Sequence, residues 1–293
     1  MNPVGYRLSI GVDIFFVISG FLITSRLIAE SKGDRVDLKS FYIRRVFRIL
    51  PVALVYLAFL GMFHLLVSGT ELLSCLTFWR NVALVSEPSY TGHFWSLSVE
   101  EQFYLAWPIG LRLMGLRRAK FCAVAGLMAI VAMKVIALVH PQWFPRGPGH
   151  YDGLLCGCIA AIAFPSITVR SRILFWTNLA VGFGLYDLAP FLSICLMTAV
   201  VSTVRNPDWS VSRFLEWRPL ELIGQRSYGI YIWHLVFLYL WLPGDPSLWI
   251  IPRLLVTTVF VELSYRFVEL PLQRFGKGIA GGALYENRAL PKP

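Results

Sequence analysis

The sequence predicts an all-α protein, a polytopic transmembrane helix bundle of about nine spans. Three observations lead there. The 293 residues are 56% hydrophobic and 15% charged, with a mean hydropathy of +0.62. Soluble domains carry about 25% charged residues, so this excess of apolar side chains calls for lipid as solvent. Apolar runs of helix length recur along the chain with short polar loops between them. Aromatic residues make up 15%, ten of them Trp, which suits interfacial belts where amphipathic rings sit among headgroups.

The runs fall at about 8–28, 49–68, 94–114, 120–139, 150–166, 172–187, 188–204, 226–242 and 248–268. Several are shorter than the roughly 20 residues of a full crossing, which implies tilt, distortion or partial crossing. The stretch 72–87, bordered or interrupted by Glu71, Arg80, Asn81 and Glu87, reads as a re-entrant or interfacial helix.

Charge placement supports that choice. With nine spans, the loops 29–48, 112–120, 167–171 and 205–226 and the tail 269–293 share one side. With Arg172 at the edge, they hold 20 basic residues. The other side has Arg7, Arg80, Arg146 and Arg253, while Arg26, Lys134 and Arg266 lie within or beside spans. The bias makes the basic side cytoplasmic. Counting 72–87 as a span would move Arg112 to Lys120 outside and break the pattern. The nine-span count leaves Met1 on the non-cytoplasmic side, and a helix before residue 8 would restore a cytoplasmic start and give ten spans. The first run lacks a basic n-region and a small-residue cleavage site, so it reads as an inserted span.

No repeat at a 20–50-residue period and no hydrophilic second domain is visible. The organisation expected is one membrane domain over 1–275 and a flexible cytoplasmic tail over 276–293, with Gly276, Gly278, Gly281 and Gly282. A net charge of +10 would suit nucleic acid, but no long basic arm exists to track a phosphate backbone. Cys75, Cys122, Cys156, Cys158 and Cys195 lie mostly in apolar segments and form neither a CxxC pair nor a zinc site. P-loop, GxSxG, HExxH and Rossmann patterns are absent from the sequence.

Six segments carry candidate chemistry. In GVDIFFVISGFLIT, from Gly11 to Thr24, Asp13 stands just inside a span. It either orients a cation or a substrate hydroxyl, or caps the helix; Ser19-Gly20 is a notch for close helix approach. In FYIRRVFRILP, Arg44, Arg45 and Arg48 form an RRxxR cluster, with Arg44 and Arg48 on one helix face. Lipid headgroups satisfy a positive-inside reading, but Lys would serve there as well. The choice of Arg points to a specific phosphate, held by bidentate hydrogen bonds.

In HFWSLSVEEQFYLAWP, from His93 to Pro108, Glu100 and Glu101 enter an aromatic run. A carboxylate near a bilayer centre costs about 2.5–3.5 kcal/mol on insertion scales, so it faces a partner or polar cavity, or it caps the helix at the interface. Ser98 precedes Glu101 at capping-box spacing. His150 and Asp152 in HYDGLLCG lie two residues apart, which does not put them face to face on a helix. His234 lies seven residues after Ser227, as a packing residue or a base. In SYRFVELP, Arg266 and Glu269 either pair internally or leave a functional carboxylate.

At these motifs, in this order, the chain resembles the acyltransferase 3 family, bacterial integral-membrane proteins that acylate sugars of surface polysaccharides and related acceptors. The resemblance runs from about Gly11 to Arg274. It implies a transferase of groups other than amino-acyl groups, in the bacterial cytoplasmic (inner) membrane. An acyl group, acetyl first, would pass from cytoplasmic acyl-CoA to a hydroxyl of a carbohydrate or lipid-linked glycan acceptor. It implies acyl-CoA held by Arg44, Arg45 and Arg48, no metal, and Glu269 positioning the acceptor. Glu100, Glu101 and Asp13 match family acids. Members begin with a helix bearing an arginine and then a histidine treated as the general base. None of the five histidines here occupies that position, which implies a start placed too late or a truncated, inactive relative. The alternative class is a transporter or noncatalytic membrane subunit using the same acidic path.

Overall fold

A computed structural model describes residues 10–31, 37–66, 68–83, 89–140, 150–164, 171–184, 191–238 and 249–281. Arg7, Lys32, Arg35, Glu87, Arg146, Arg170, Arg288 and Lys292 lie outside these residues, as does the tail from 282 onward. Among the described residues the secondary structure is helical and no strand occurs.

In chain order the helices are α1 (Ile10–Glu30), α2 (Leu38–Met62), α3 (Gly69–Leu76), α4 (Phe94–Val139), α5 (Tyr151–Ala163) and α6 (Arg172–Gly184). There follow α7 (Phe191–Arg205), α8 (Ser210–Leu215), α9 (Arg218–Gln225), α10 (Ser227–Leu238) and α11 (Ile250–Ser264). A π-helical turn, Tyr265–Glu269, then leads into α12 (Leu270–Ile279). Among the described residues three segments are long and apolar enough to cross a membrane: Ile10–Glu30, Leu38–Met62 and Arg117–Ala137. Tyr151–Ala163, Phe191–Arg205 and Ser227–Leu238 are shorter apolar helices. Large apolar side chains such as Leu22, Leu113 and Phe121 face outward, the surface that lipid covers in a bilayer protein.

Gly115 divides α4 into the two expected runs. Its φ of 72° and ψ of 166° break the helical path inside α4, at the junction between the runs 94–114 and 120–139. Only glycine adopts such a conformation without strain. The second run starts earlier than the apolar pattern indicates, because α2 opens at Leu38 and carries the arginines in its first turns. The stretch 72–87 is represented by the short α3, capped by Ser68 Oγ, which accepts from Glu71 N at 3.1 Å.

The chain forms two compact units. The first comprises Met1–Asp37 and Val99–Phe214. Its centre is the packing of α1 on α5 at very close range. A Cβ on Gly20 would stand 2.1 Å from the Leu154 carbonyl oxygen, and one on Gly157 2.2 Å from that of Val17. Small residues on both helices let the backbones meet, the usual route to helix association in lipid. Phe21, Ala160, Ala161 and Val201 bury a common cluster beside this contact, and Val17 packs with Leu192 and Leu196.

The second unit comprises Leu38–Ser98 and Leu215–Pro293. Here α2, α10 and α11 share an aromatic core. Phe59 meets Trp233 at 5.3 Å, and Phe237 meets Phe260 at 4.6 Å between ring centroids. Tyr228 donates to the Ile49 carbonyl at 2.7 Å, and Ser40 to that of Ala280 at 3.2 Å, tying α10 and the end of α12 to α2.

Candidate active site

In the second unit, Arg44 and Arg45 are half-buried and Arg48 is exposed, all on the first turns of α2. Glu269 ends the π-helical turn and is 1% exposed. The extra residue in that turn changes the facing of every side chain after it, and Glu269 ends inside while Arg266 ends outside. Arg266 Nε reaches Glu262 Oε1 at 2.5 Å rather than Glu269. Arg226 holds the same Glu262 with two bonds, at 2.5 and 3.2 Å. The internal Arg266–Glu269 pair is therefore not formed. Glu269 Oε1 has no hydrogen-bond partner among the described residues. Arg48 and Arg226 are near enough to act on Glu269 electrostatically, and the carboxylate occupies the space over Gly229, where a Cβ would stand 2.8 Å from Oε1.

The same unit contains a polar network that local sequence patterns do not show. Glu71 and Arg80, 0% and 1% exposed, are buried. Ser89 and Thr91 donate to Glu71 Oε1, and Arg80 Nε donates to Thr91 Oγ1 at 3.3 Å. Ser98 donates to the Phe94 carbonyl and accepts from Arg80 N at 3.2 Å. It lies inside α4, so its hydroxyl anchors α3's connection rather than closing a capping box with Glu101. His93 is packed edge-on against Tyr56, Phe94 and Tyr231, and His234 Nδ1 contacts the Tyr231 carbonyl at 2.6 Å. These histidines are built into the aromatic core.

In the first unit, Glu100 is buried, Glu101 half-buried. Ser19 Oγ donates to Glu100 Oε1 at 2.5 Å and is also hydrogen-bonded to Tyr104 Oη. Glu100 thus faces a polar partner on α1 rather than capping a helix end. Trp107 Nε1 donates to Thr24 Oγ1 at 2.9 Å one turn along. Asp13 lies 4.0 Å from His150 Nδ1. Asp152 pairs instead with Lys134 at 2.8 Å and accepts from Ser193 at 2.9 Å. His150 and Asp152 thus engage groups from other helices, as their two-residue separation requires, and Lys134 and Ser193 join a cluster that no local motif marks.

The candidate acids and arginines thus fall into two groups: Arg44, Arg45, Arg48 and Glu269 in the second unit, and Asp13, Glu100 and Glu101 in the first. The family described as "Acyltransferase domain", Acyl_transf_3, matches residues 2–265. The chain belongs to this acyltransferase family. Among relatives of this acyltransferase chain, YrhL of Bacillus subtilis is 30% identical over 323 residues, covering 91% of this chain and 51% of that protein. The peptidoglycan O-acetyltransferase OatA of Listeria monocytogenes is 29% identical over 321 residues, with coverage of 91% and 51%. The O-acetyltransferase OatA of Staphylococcus aureus strain NCTC 8325 is 29% identical over 319 residues, with 91% and 53%. The chain spans about half the length of the curated relatives it matches. No solved structure matches it.

Proposed function

We propose that this acyltransferase-family chain moves an acyl group, acetyl first, from cytoplasmic acyl-CoA to a hydroxyl of a cell-wall carbohydrate. Its setting is the bacterial inner membrane, crossed several times, and its acceptor is a glycan of the peptidoglycan class or a lipid-linked precursor. The observation that carries the reading is the grouping of three guanidinium side chains on α2 with the buried Glu269 beside Arg48, whose Oε1 has no hydrogen-bond partner among the described residues. Guanidinium forks match phosphate oxygens bidentately, and a CoA ester carries several.

Glu269 belongs with the donor in this reading, not with the acceptor as the family resemblance implies. A carboxylate beside Arg48 and Arg226 keeps those cations aligned, and its Oε1 accepts an N–H from the adenine amine or a pantetheine amide. Glu100, hydrogen-bonded to Ser19, supplies polar lining in the first unit, with Glu101 next to it. In the reaction the acceptor oxygen bonds to the thioester carbonyl carbon and the C–S bond breaks. The hydroxyl proton leaves with the CoA thiol.

The test is acyl transfer and donor binding by purified chain in lipid nanodiscs, for wild type and for the Arg45→Ala/Arg48→Ala double variant. Loss of acyl-CoA binding and of transfer, with insertion unchanged, is the expected result. Wild-type activity in the double variant would refute the donor assignment, and glycan flux without acyl chemistry would establish a transporter instead.

A further inference from the structure

Donor binding at the α2 arginines makes no use of a buried imidazole in the same unit. His93 directly precedes α4 and is 7% exposed. Its backbone carbonyl is well engaged, accepting from Tyr231 Oη at 2.5 Å and Ser96 Oγ at 3.3 Å. The ring is not. The Ile232 backbone, His234 and Arg80 act on it electrostatically, yet neither Nδ1 nor Nε2 has a hydrogen-bond partner among the described residues. The neighbouring histidine is the contrast. His234 is half-buried, its ring centroid lies 5.4 Å from that of His93, and its Nδ1 contacts the Tyr231 carbonyl at 2.6 Å.

Packing alone does not select this side chain. The rings of Tyr56, Phe94 and Tyr231 meet it at centroid distances of 5.5, 5.0 and 5.2 Å. A phenyl ring would fill that place without burying polar atoms that nothing meets. A neutral imidazole keeps a lone pair on one nitrogen, and a hydroxyl is a group that donates to it. Depth connects the ring to the donor site. Glu269 lies over Gly229, and His234 follows five residues later on α10, about 7.5 Å along the helix axis. Tyr56 stands eight residues beyond Arg48 on α2, about 12 Å along that axis. The imidazole is therefore set inward from the arginines, in the direction that a pantetheine arm carries a thioester away from the CoA phosphates.

We infer that His93 is the proton carrier of the transfer, taking the hydroxyl proton of the acceptor on its open nitrogen. As that O–H bond breaks, the acceptor oxygen bonds to the thioester carbonyl carbon. The C–S bond then breaks, its electron pair leaves with the sulfur, and the imidazolium returns the proton to that thiolate. The imidazole ends as it began. This role rests on the acyl-transfer reading, and it falls on a position to which the family resemblance gives no base. On the topology set by the basic loops, His93 opens α4 at the non-cytoplasmic end, where a cell-wall acceptor arrives.

The experiment uses the full chain in lipid nanodiscs, with acetyl-CoA as donor and triacetylchitotriose, a neutral N-acetylglucosamine trimer, as acceptor. His93→Gln, which keeps a polar side chain but no basic nitrogen, lowers kcat by at least about 100-fold, the scale of a general base, with KM for acetyl-CoA within about twofold of wild type. His93→Ala is inactive and regains transfer when imidazole is added. Pyrrole, a ring of the same size without a basic nitrogen, does not restore it. Where His93→Gln fails to assemble, His93→Ala assembled with imidazole carries the test. Transfer by His93→Gln at more than about a tenth of the wild-type rate would overturn the role. So would restoration of His93→Ala by pyrrole as well as imidazole, which would make His93 a packing residue, or by neither. A wild type that transfers acetyl to neither the trimer nor water fails the acyl-transfer reading itself, and this role with it; an active wild type with an active His93→Gln fails the role alone.

Discussion

Gly20→Ala is the sharpest test of how α1 and α5 are held together. The new Cβ would lie 2.1 Å from the Leu154 carbonyl oxygen, 2.9 Å from its carbon and 3.1 Å from its Cα. Ordinary contact begins at 3.4 Å, so the helices must part by about 1.3 Å. All three atoms are backbone, and no rotamer change relieves the clash. A gap of about 0.5–1 Å already forfeits a quarter to a half of a dispersion contact. Overpacking costs about 1–3 kcal/mol, occasionally more, and this site belongs at the upper end. About 3 kcal/mol in a domain of this size corresponds to a fall in Tm of about 6–12 °C. Gly11→Ala is the internal control. It lies in the first turn of the same helix with nothing within 4 Å of its Cβ, so the change stays within about 0.5 kcal/mol and Tm barely moves. Thermal unfolding of both variants in one detergent, followed by tryptophan fluorescence, measures the two. Equal Tm values for Gly20→Ala and wild type would refute the close packing of these helices.

Other perturbations follow from the same geometry. Lys134→Met leaves Asp152 charged and buried without its cation, a loss of about 3–5 kcal/mol; Lys134→Met with Asp152→Asn recovers most of it, read as paired unfolding midpoints. Gly229→Ala brings a Cβ within 2.8 Å of Glu269 Oε1 and displaces that carboxylate. The expected result is a several-fold rise in KM for the acyl donor, while Gly224→Ala, with open space around it, leaves KM unchanged. Glu262→Gln frees two arginines at a partly exposed site, where screened pairs are each worth about 0–1 kcal/mol. Its Tm therefore moves by only a few degrees, and a loss comparable to that of Lys134→Met would show that Glu262 is far less screened than its exposure indicates.

The helical class was legible because it follows from composition and run length, which need no partner. The break at Gly115 agrees with the expected boundary because the basic stretch Arg117 to Lys120 interrupts the apolar pattern there. Helix starts were less legible. α2 opens well before its apolar run, since a helix carries polar first turns as readily as apolar ones once tertiary contacts hold it. Crossings were less legible for the same reason: helices such as Tyr151–Ala163 are apolar but short, a length that suits tilted and partial crossings alike. At the sites, single residues were readable and pairings were not. Glu100 stood out as costly in an apolar run, but its partner Ser19 is 81 positions away. Lys134 lay within a span and drew no functional reading, because Asp152 marks it only in three dimensions. Arg266 and Glu269, at i, i+3, fitted an internal pair as well as a functional carboxylate, and the π-helical turn between them separates their directions.

These pairings share one physical cause. Inside an apolar bundle a carboxylate is stable only where hydrogen bonds or a cation meet it, and the structure satisfies each buried acid differently. Glu71 is surrounded by hydroxyls beside Arg80, and Asp152 has a lysine and a serine. Both are closed, and a closed group holds the fold without exposing chemistry. Glu269 departs from that pattern and keeps an oxygen without a hydrogen-bond partner among the described residues. A buried acid that a helical membrane protein leaves open carries its desolvation cost without a packing return, and a ligand group is what offsets it. Glu269, buried yet open, is therefore where binding is to be sought, with an N–H donor expected at its Oε1.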